Sequence, residues 1–154
     1  MRALHAAATL ATLLIFALAF AHVAELPGKL RLDGAQWLMV QQHLYIAFGP
    51  IGAIVELLAV LLIWVLAWRT GWRQPGARRV IAAAVCVTVG LVAWALIVAP
   101  MNARISAMQP DAPAATWTAV RDRWELGHAV HAALFGAALA LLLCSPPRGP
   151  VLRP

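Results

Sequence analysis

The chain has 154 residues, of which 63% are hydrophobic and 12% are charged, and its formal net charge is +6. Soluble domains carry about 25% charged residues, so this composition excludes an ordinary soluble domain and predicts an integral membrane protein with a single domain, residues 1–154. The arginines lie between apolar runs and form no single basic patch. We therefore expect no nucleic-acid partner, and the arginines serve as signals of membrane topology.

Residues 4–23 form the first apolar segment, which is long enough to cross a hydrocarbon layer of about 30 Å. Pro27 and Gly28 follow it and are expected to end the helix. A cleaved signal peptide is the alternative, because Arg2 precedes the apolar run and residues 19–21 resemble a cleavage site.

Asp33 is expected to begin a short amphipathic helix, because Gln36 stands three residues later as in a capping box. The second span is predicted over residues 44–68, with a kink at Pro50. The third is predicted over residues 80–99, where Pro100 closes it.

Helix restarts at Thr116, and the fourth span covers residues 126–144, ending before Pro146 and Pro147. Four spans with short connections predict an all-α fold, namely a membrane-embedded up-down four-helix bundle packed through Ala and Gly.

The distribution of charge predicts the orientation of these spans. The N-terminus, the loop at residues 69–79 and the C-terminal tail carry seven basic residues and no acidic one, whereas the other side carries five of each. Basic residues accumulate on the cytoplasmic side, so both termini are expected there. The bacterial inner membrane is the expected location, and no oligomeric state is predicted.

Glu56 lies near the middle of the second span and is the acidic residue deepest in any span. A charge at the bilayer centre costs at least about 2.5 kcal/mol. We therefore expect Glu56 to face the interior, where it is protonated and hydrogen-bonded to Thr88 or Trp94, or lines a polar cavity. A structural link between helices and a proton-handling role both stay open.

Histidines gather at the extracytoplasmic ends of the predicted helices. His128 and His131 lie on one face of the fourth helix, and neither can face lipid, which offers no hydrogen-bond partner. We expect His22, His43 and Asn102 to lie at the same depth, with Glu25 as the partner of a histidine. The catalytic candidates are His128, His131, His22 and Asn102. The ligand-binding candidates are Glu25, His43, Arg123, Trp124 and Glu56.

Imidazoles at one depth could bind a metal or haem, move protons, or be interfacial polar residues that cap loop carbonyls. Their spacing is not specific for any of these roles. We therefore predict no metal ligand and no cofactor, while a metal or haem stays open as an alternative.

The second half of the chain resembles a family of small four-helix membrane proteins that includes the anthrone oxygenases. The family pattern has Pro-x-Asn at the end of the third helix, then an Arg-Trp pair, then Asn-x-x-Arg opening the fourth. The residues that carry the resemblance are Pro100, Asn102, Trp117, Arg123 and Trp124. The segment from His22 to Lys29 is similar to a sub-branch of uncharacterised members.

The resemblance implies an enzyme that inserts oxygen into an activated phenolic carbanion without a metal or flavin. His128 and His131 stand where the family has Asn and Arg, and this departure puts a shared reaction in doubt. A histidine base could start such chemistry by removing a proton near neutral pH.

Three functional hypotheses follow. The first is a membrane enzyme or binder of an apolar aromatic or quinone-like ligand at the extracytoplasmic mouth of the bundle. The second is a non-enzymatic structural or accessory membrane subunit. The third is a proton or solute carrier that works through Glu56. This hypothesis ranks last, because four short helices leave little room for a pore within a monomer. Apart from the lipid bilayer and this ligand, no partner is predicted.

Overall fold

A computed structural model describes residues 1–74, 76–111 and 113–145 of the chain. The described part is helical throughout, with no β-strand. Four helices are long and apolar enough to cross a membrane, and a short helix follows the first of them. We number them α1 (Arg2–Lys29), α2 (Gly34–Leu44), α3 (Phe48–Thr70), α4 (Ala77–Ala107) and α5 (Trp117–Leu143). The prolines expected to end α5 lie outside the described residues.

Helix α1 runs past Pro27 and Gly28, contrary to the sequence prediction, and ends at Lys29. A proline this close to the C-terminus of a helix removes one hydrogen bond of the last turns and leaves the rest intact. The side chain of Lys29 also holds the turn, because its ammonium lies 3.2 Å from Glu25 on α1 and 3.3 Å from Glu125 on α5.

Helix α2 begins with the predicted capping box, in which Asp33 accepts from the backbone of Gln36 and Gln36 accepts from the backbone of Asp33. The side chain of Gln42 donates to the carbonyls of Ile105 and Met108 at 2.8 and 2.9 Å. Ile105 belongs to the last turn of α4 and Met108 follows the helix directly, at an end where carbonyls have fewer helical partners. Helix α2 is therefore fastened across the end of α4.

Two prolines act differently from their predictions. Pro50 lies in the first turn of α3, which begins at Phe48, so it starts a helix where the missing N–H costs little. Pro100 does not close α4, because the helix continues to Ala107. A π-helical turn over Trp94–Val98 precedes Pro100, and this wider turn accommodates a residue that cannot donate a backbone hydrogen bond.

Each long helix packs against two others: α1 and α4 both contact α3 and α5. The main core joins all four helices and is rich in small residues such as Ala8, Ala59 and Ala83. Gly90 on α4 allows the ring of Phe135 on α5 to approach, since a Cβ at this position would lie 2.7 Å from that ring. Small residues that permit close approach are typical of helix packing within membranes.

Large apolar side chains cover the outside of the helices. Leu57, Leu61 and Leu96 are each at least 58% exposed, and Trp68 and Trp72 at one end are 75% and 76% exposed. A soluble monomer rarely exposes such a surface, whereas hydrocarbon chains cover it favourably. The chain is therefore an integral membrane protein by the length, composition and outer surface of its helices.

Gly90→Ala is expected to destabilise the fold, because the added methyl would overlap the fully buried ring of Phe135. Overpacking of this kind costs about 1–3 kcal/mol. Thermal unfolding in detergent should show a lower midpoint. Gly52→Ala is the matched control, since its Cβ would meet only Ile15 at 3.9 Å, and an equal loss in both variants would contradict this account of the packing.

Candidate functional site

A cavity of about 160 Å³ lies among the helices at the end where α1 finishes and α5 begins. Its wall brings together five of the histidine, glutamate and asparagine side chains singled out in the sequence, together with aromatic and small apolar residues. The polar and aromatic residues of the wall are His22, Gln41, Tyr45, Phe48, Glu56, Asn102, Ser106, Trp124, His128 and His131. The predicted convergence of His22, His128, His131 and Asn102 is therefore confirmed.

Glu56 and His131 form a buried pair at the inner end of this cavity. The Glu56 carboxylate oxygen Oε1 lies 2.8 Å from Nε2 of His131, and both side chains are less than 5% exposed. Glu56 faces the interior and lines a polar cavity, as expected. Its hydrogen-bond partner among the described residues is His131 and neither Thr88 nor Trp94; the hydroxyl of Thr88 accepts from Trp64 at 3.0 Å. The sequence analysis did not consider a histidine on the opposing helix as this partner.

His22 and His128 face each other across α1 and α5, with ring centroids 4.3 Å apart. The ring of Trp124, one turn before His128, lies 4.2 Å from it in an edge-to-face arrangement. His128 Nδ1 is buried and has no hydrogen-bond partner among the described residues, and the same holds for Nδ1 of His131. Buried polar atoms are nearly always paired, so an unpaired imidazole nitrogen beside a cavity is a feature to explain.

Asn102 and Trp124 are joined by a hydrogen bond of 2.7 Å from the indole Nε1 to the amide oxygen. Indole can only donate, which fixes the orientation of the amide. Asn102 follows the π-helical turn of α4, and a turn of this kind changes the direction in which later side chains point. Two of the five residues that carry the family resemblance, Asn102 and Trp124, therefore contact each other.

Lys29 forms the centre of an ionic cluster at the mouth of the cavity, and the sequence argument missed it. Its side chain is 4% exposed and contacts Glu25, Glu125 and Nδ1 of His22, the last at 3.4 Å. The sequence held a signal for it, since His22, Glu25 and Lys29 are spaced by three and four residues and share one helical face. Glu25 lies 3.8 Å from His22 and 3.2 Å from Lys29, so Lys29 is the closer partner of Glu25.

Tyr45, between α2 and α3, closes the mouth from the side of α2. Its hydroxyl donates a short hydrogen bond to Glu25, and its ring lies edge-on to His22 with centroids 4.9 Å apart. Burial raises the pKa of the Tyr45 phenol, and the hydrogen bond to Glu25 raises it further. Tyr45 therefore stays protonated and acts as a donor.

Three predicted ligand-binding residues do not belong to the cavity wall: Glu25, which contacts Tyr45 and Lys29 beside it, and His43 and Arg123, which lie away from it. His43 and Arg123 are both exposed, and neither belongs to the cavity wall. The helical period explains both positions: His43 faces outward on α2, and Arg123 precedes the buried pair Trp124 and Glu125 on α5. A ligand-binding role for these two residues stays a prediction.

Within residues 1–74, 76–111 and 113–145, no group of three or more His, Cys, Asp or Glu side chains is arranged to hold a metal ion. The histidines of α1 and α5 are close enough to share a ligand, but their neighbours are a lysine and aromatic rings. An ammonium group beside His22 opposes the binding of a second cation there.

No protein-family model matches this chain, and neither does any curated protein or any solved structure. The resemblance to the anthrone-oxygenase family therefore stays a prediction, based on Asn102, Trp124 and their neighbours in the sequence.

This arrangement combines three chemical properties. The wall offers imidazole nitrogens that can accept a proton, aromatic rings that can stack on a planar molecule, and a carboxylate linked to one of the imidazoles. The mouth is held by an ion pair between α1 and α5. A site of this kind can bind a flat apolar molecule and take up a proton from it.

Replacing Lys29 by Met is expected to destabilise the fold strongly, because Glu125, whose side chain is 6% exposed, would keep a buried charge without its partner. Breaking a buried ion pair in this way costs about 3–5 kcal/mol. The midpoint of thermal unfolding in detergent would measure the loss. The double variant Lys29→Met with Glu125→Gln removes both charges and should recover most of it; no recovery would show that the ion pair is not the cause.

Proposed function

We propose that this chain is a membrane protein that binds a planar, single-ring aromatic molecule with an acidic O–H group, and that His128 accepts the proton of this group. Phenols and quinols are the corresponding chemical classes. The site would lie at the extracytoplasmic mouth of an up-down four-helix bundle, within reach of molecules dissolved in the lipid.

The observation that carries this proposal is the position of His128. Its ring forms part of the cavity wall between the rings of His22 and Trp124, and Nδ1 of this imidazole has no hydrogen-bond partner among the described residues. A neutral imidazole acts as an acceptor at one of its two nitrogens. Enclosed by aromatic rings, it suits an O–H donor on a flat molecule.

The size of the cavity supports a ligand with one ring. Its volume of about 160 Å³ is close to that of an engineered protein cavity of about 150 Å³ that holds benzene. Three fused rings, as in an anthrone, would have to extend through the mouth between Tyr45 and Trp124. A substrate smaller than an anthrone therefore fits better than the one that the family resemblance implies.

Removal of a phenolic proton is also the first step of a cofactor-independent oxygenase, which is the enzyme class that the resemblance implies. In this reaction His128 would act as the base. The cationic Lys29 at the mouth would favour the resulting phenolate.

The second candidate is a structural or accessory membrane subunit without a ligand. The observation in its favour is that Glu56 and His131 link α3 to α5 and that Lys29 and Glu125 link α1 to α5. Polar contacts of this kind hold helices together in membranes. This hypothesis does not explain why Nδ1 of His128 is buried without a hydrogen-bond partner among the described residues.

The test is the binding of 2,6-dimethylphenol to the purified protein in detergent, measured by calorimetry. We expect 2,6-dimethylanisole, which lacks the O–H group, to bind at least about fivefold more weakly, because a lost buried hydrogen bond costs about 1–3 kcal/mol. His128→Ala should remove this preference for the phenol while the protein stays folded.

His43→Ala is the matched control, since His43 is exposed and lies outside the cavity. Glu25→Gln should weaken binding less than His128→Ala, because Glu25 acts through Lys29 and Tyr45. Equal affinity for the two compounds, or unchanged preference in His128→Ala, would contradict the proposed role of His128. Binding of neither compound would favour the structural subunit.

The orientation can be tested by fusing a reporter that is active only in the cytoplasm to the C-terminus. Three arginines stand where α3 gives way to α4: Arg69 in the last turn of α3, Arg73 in the loop and Arg78 in the first turn of α4. They lie on the same side as the termini if the helices alternate in direction, as the contact of His22 near the end of α1 with Phe48 at the start of α3 supports. Basic residues favour the cytoplasmic face, so the fusion should be active in bacterial cells. An inactive C-terminal fusion with an active one in the loop between α4 and α5 would reverse the topology.

A further inference from the structure

We infer that the Glu56–His131 pair exchanges its proton with only one side of the membrane, the side of Glu25 and Lys29, through the cavity lined by His22 and His128. This inference goes beyond the binding of a ligand and does not depend on it. It gives the buried pair a function as a one-sided proton acceptor within the membrane.

The first step of the argument is that the titratable groups form a continuous series from the mouth inward. His22 lies 3.4 Å from Lys29 at the mouth, and its ring is 4.3 Å from that of His128. His131 follows one turn further along the same face of α5, about 4.5 Å deeper at a rise of about 1.5 Å per residue. His131 in turn contacts Glu56 at 2.8 Å.

The second step is that one cavity touches all the inner members of this series. Its wall includes His22, His128, His131 and Glu56, and its volume of about 160 Å³ is several times the roughly 30 Å³ that a water molecule occupies in the liquid. Water that enters from the mouth can therefore bridge one imidazole to the next.

The third step is the seal on the opposite side. The ring of Phe135 packs under His131 with centroids 4.6 Å apart, and the backbone of Gly90 presses against it. Beyond this ring the buried cluster is apolar, and the hydroxyl of Thr12 is occupied by the carbonyl of Ala8 at 2.7 Å. The fully buried side chains of this seal are Ala8, Ala59, Ile63, Ala83, Ala84, Val87, Phe135, Ala138 and Leu142.

The fourth step is that the pair can take up a proton without leaving a charge uncompensated. When Nε2 of His131 carries a proton, it donates this proton to the Glu56 carboxylate at 2.8 Å. When Nδ1 of His131, which has no partner among the described residues, accepts a second proton, the Nε2 proton can pass to Glu56. The result is a neutral imidazole beside a neutral carboxylic acid.

On the far side of Phe135, α1 carries the buried His5 and α4 the partly buried Cys86, whereas the other charged and titratable groups near the pair lie on the mouth side. Helix α1 contributes His22, Glu25 and Lys29, α5 contributes His128 and Glu125, and Tyr45 precedes α3. The residues that α4 places in the cavity wall, Asn102, Ile105 and Ser106, do not ionise at physiological pH.

The experiment uses the full-length protein with ¹⁵N-labelled histidine in proteoliposomes of uniform orientation. The pH is changed on one side at a time between about 5 and 8, the range in which histidine ordinarily titrates, and the ring-nitrogen resonances of His131 are recorded by solid-state NMR. We expect these resonances to move with the pH on the side of Glu25 and to ignore the pH on the other side. Resonances that follow the other side, both sides or neither side would overturn the inference.

Gly52→Leu tests whether the route runs through the cavity. Gly52 belongs to the cavity wall next to Glu56 in α3, and a Cβ there would meet only Ile15 at 3.9 Å, so the new side chain has room to fill the path. The response of His131 should be lost in this variant. Gly28→Leu is the matched control, because its Cβ has no neighbour within 4 Å and Gly28 is not in the cavity wall; it should respond as the wild-type protein does.

A wild-type response in Gly52→Leu would overturn the cavity route. If that variant does not fold, the two-sided titration of the wild-type protein still decides between the outcomes. Failure to bind 2,6-dimethylphenol would leave this result unaffected, so the two proposals can fail separately.

Discussion

The bond between Glu56 and His131 is the constraint on which the rest of the structure depends. Lipid offers neither group a hydrogen-bond partner, so each must find the other inside the protein. This requirement turns one face of α3 and one face of α5 inward at the same depth. The other residues of those faces, among them His128 and Gly52, are then placed around the same cavity.

Lys29 compensates buried negative charge at the mouth of the cavity. Two carboxylates, Glu25 and Glu125, reach the same place from α1 and α5, and one buried ammonium compensates both. The lysine also lies over the rings of Tyr45 and Trp124, at 5.1 and 4.9 Å from their centroids, so its charge is stabilised on several sides. The rings that enclose the site are thus held by the same cation that closes the ion pair.

The end of the protein away from the cavity is built on different chemistry. Alanines and the glycine at position 90 bring the helices close together, and Phe135 fills the space between them. Packing of this kind leaves few voids between the helices. The two halves of the bundle therefore differ across the membrane, one tightly packed and apolar and the other containing a polar cavity. A reaction in the cavity would take place near one face of the membrane only.

The sequence by itself determined the helical class, the four apolar segments and the capping box at Asp33, because these depend on local composition and spacing. It also placed His22, His128, His131 and Asn102 at one level, since depth along a helix follows from counting residues. The predicted helix ends at Pro27 and Pro100 were wrong. Tertiary contacts of Lys29 outweighed the local effect of Pro27, and a π-helical turn accommodated Pro100.

Only the tertiary structure decided which side chains meet. The rotation of each helix about its axis depends on the packing of its neighbours, which is why the partner of Glu56 is His131 and not Thr88. The same rotation turns His43 and Arg123 outward and brings Lys29 inward, although all three are polar residues near the ends of helices. Sequence spacing gives the depth of a residue in the membrane, whereas its direction is a property of the assembled helices.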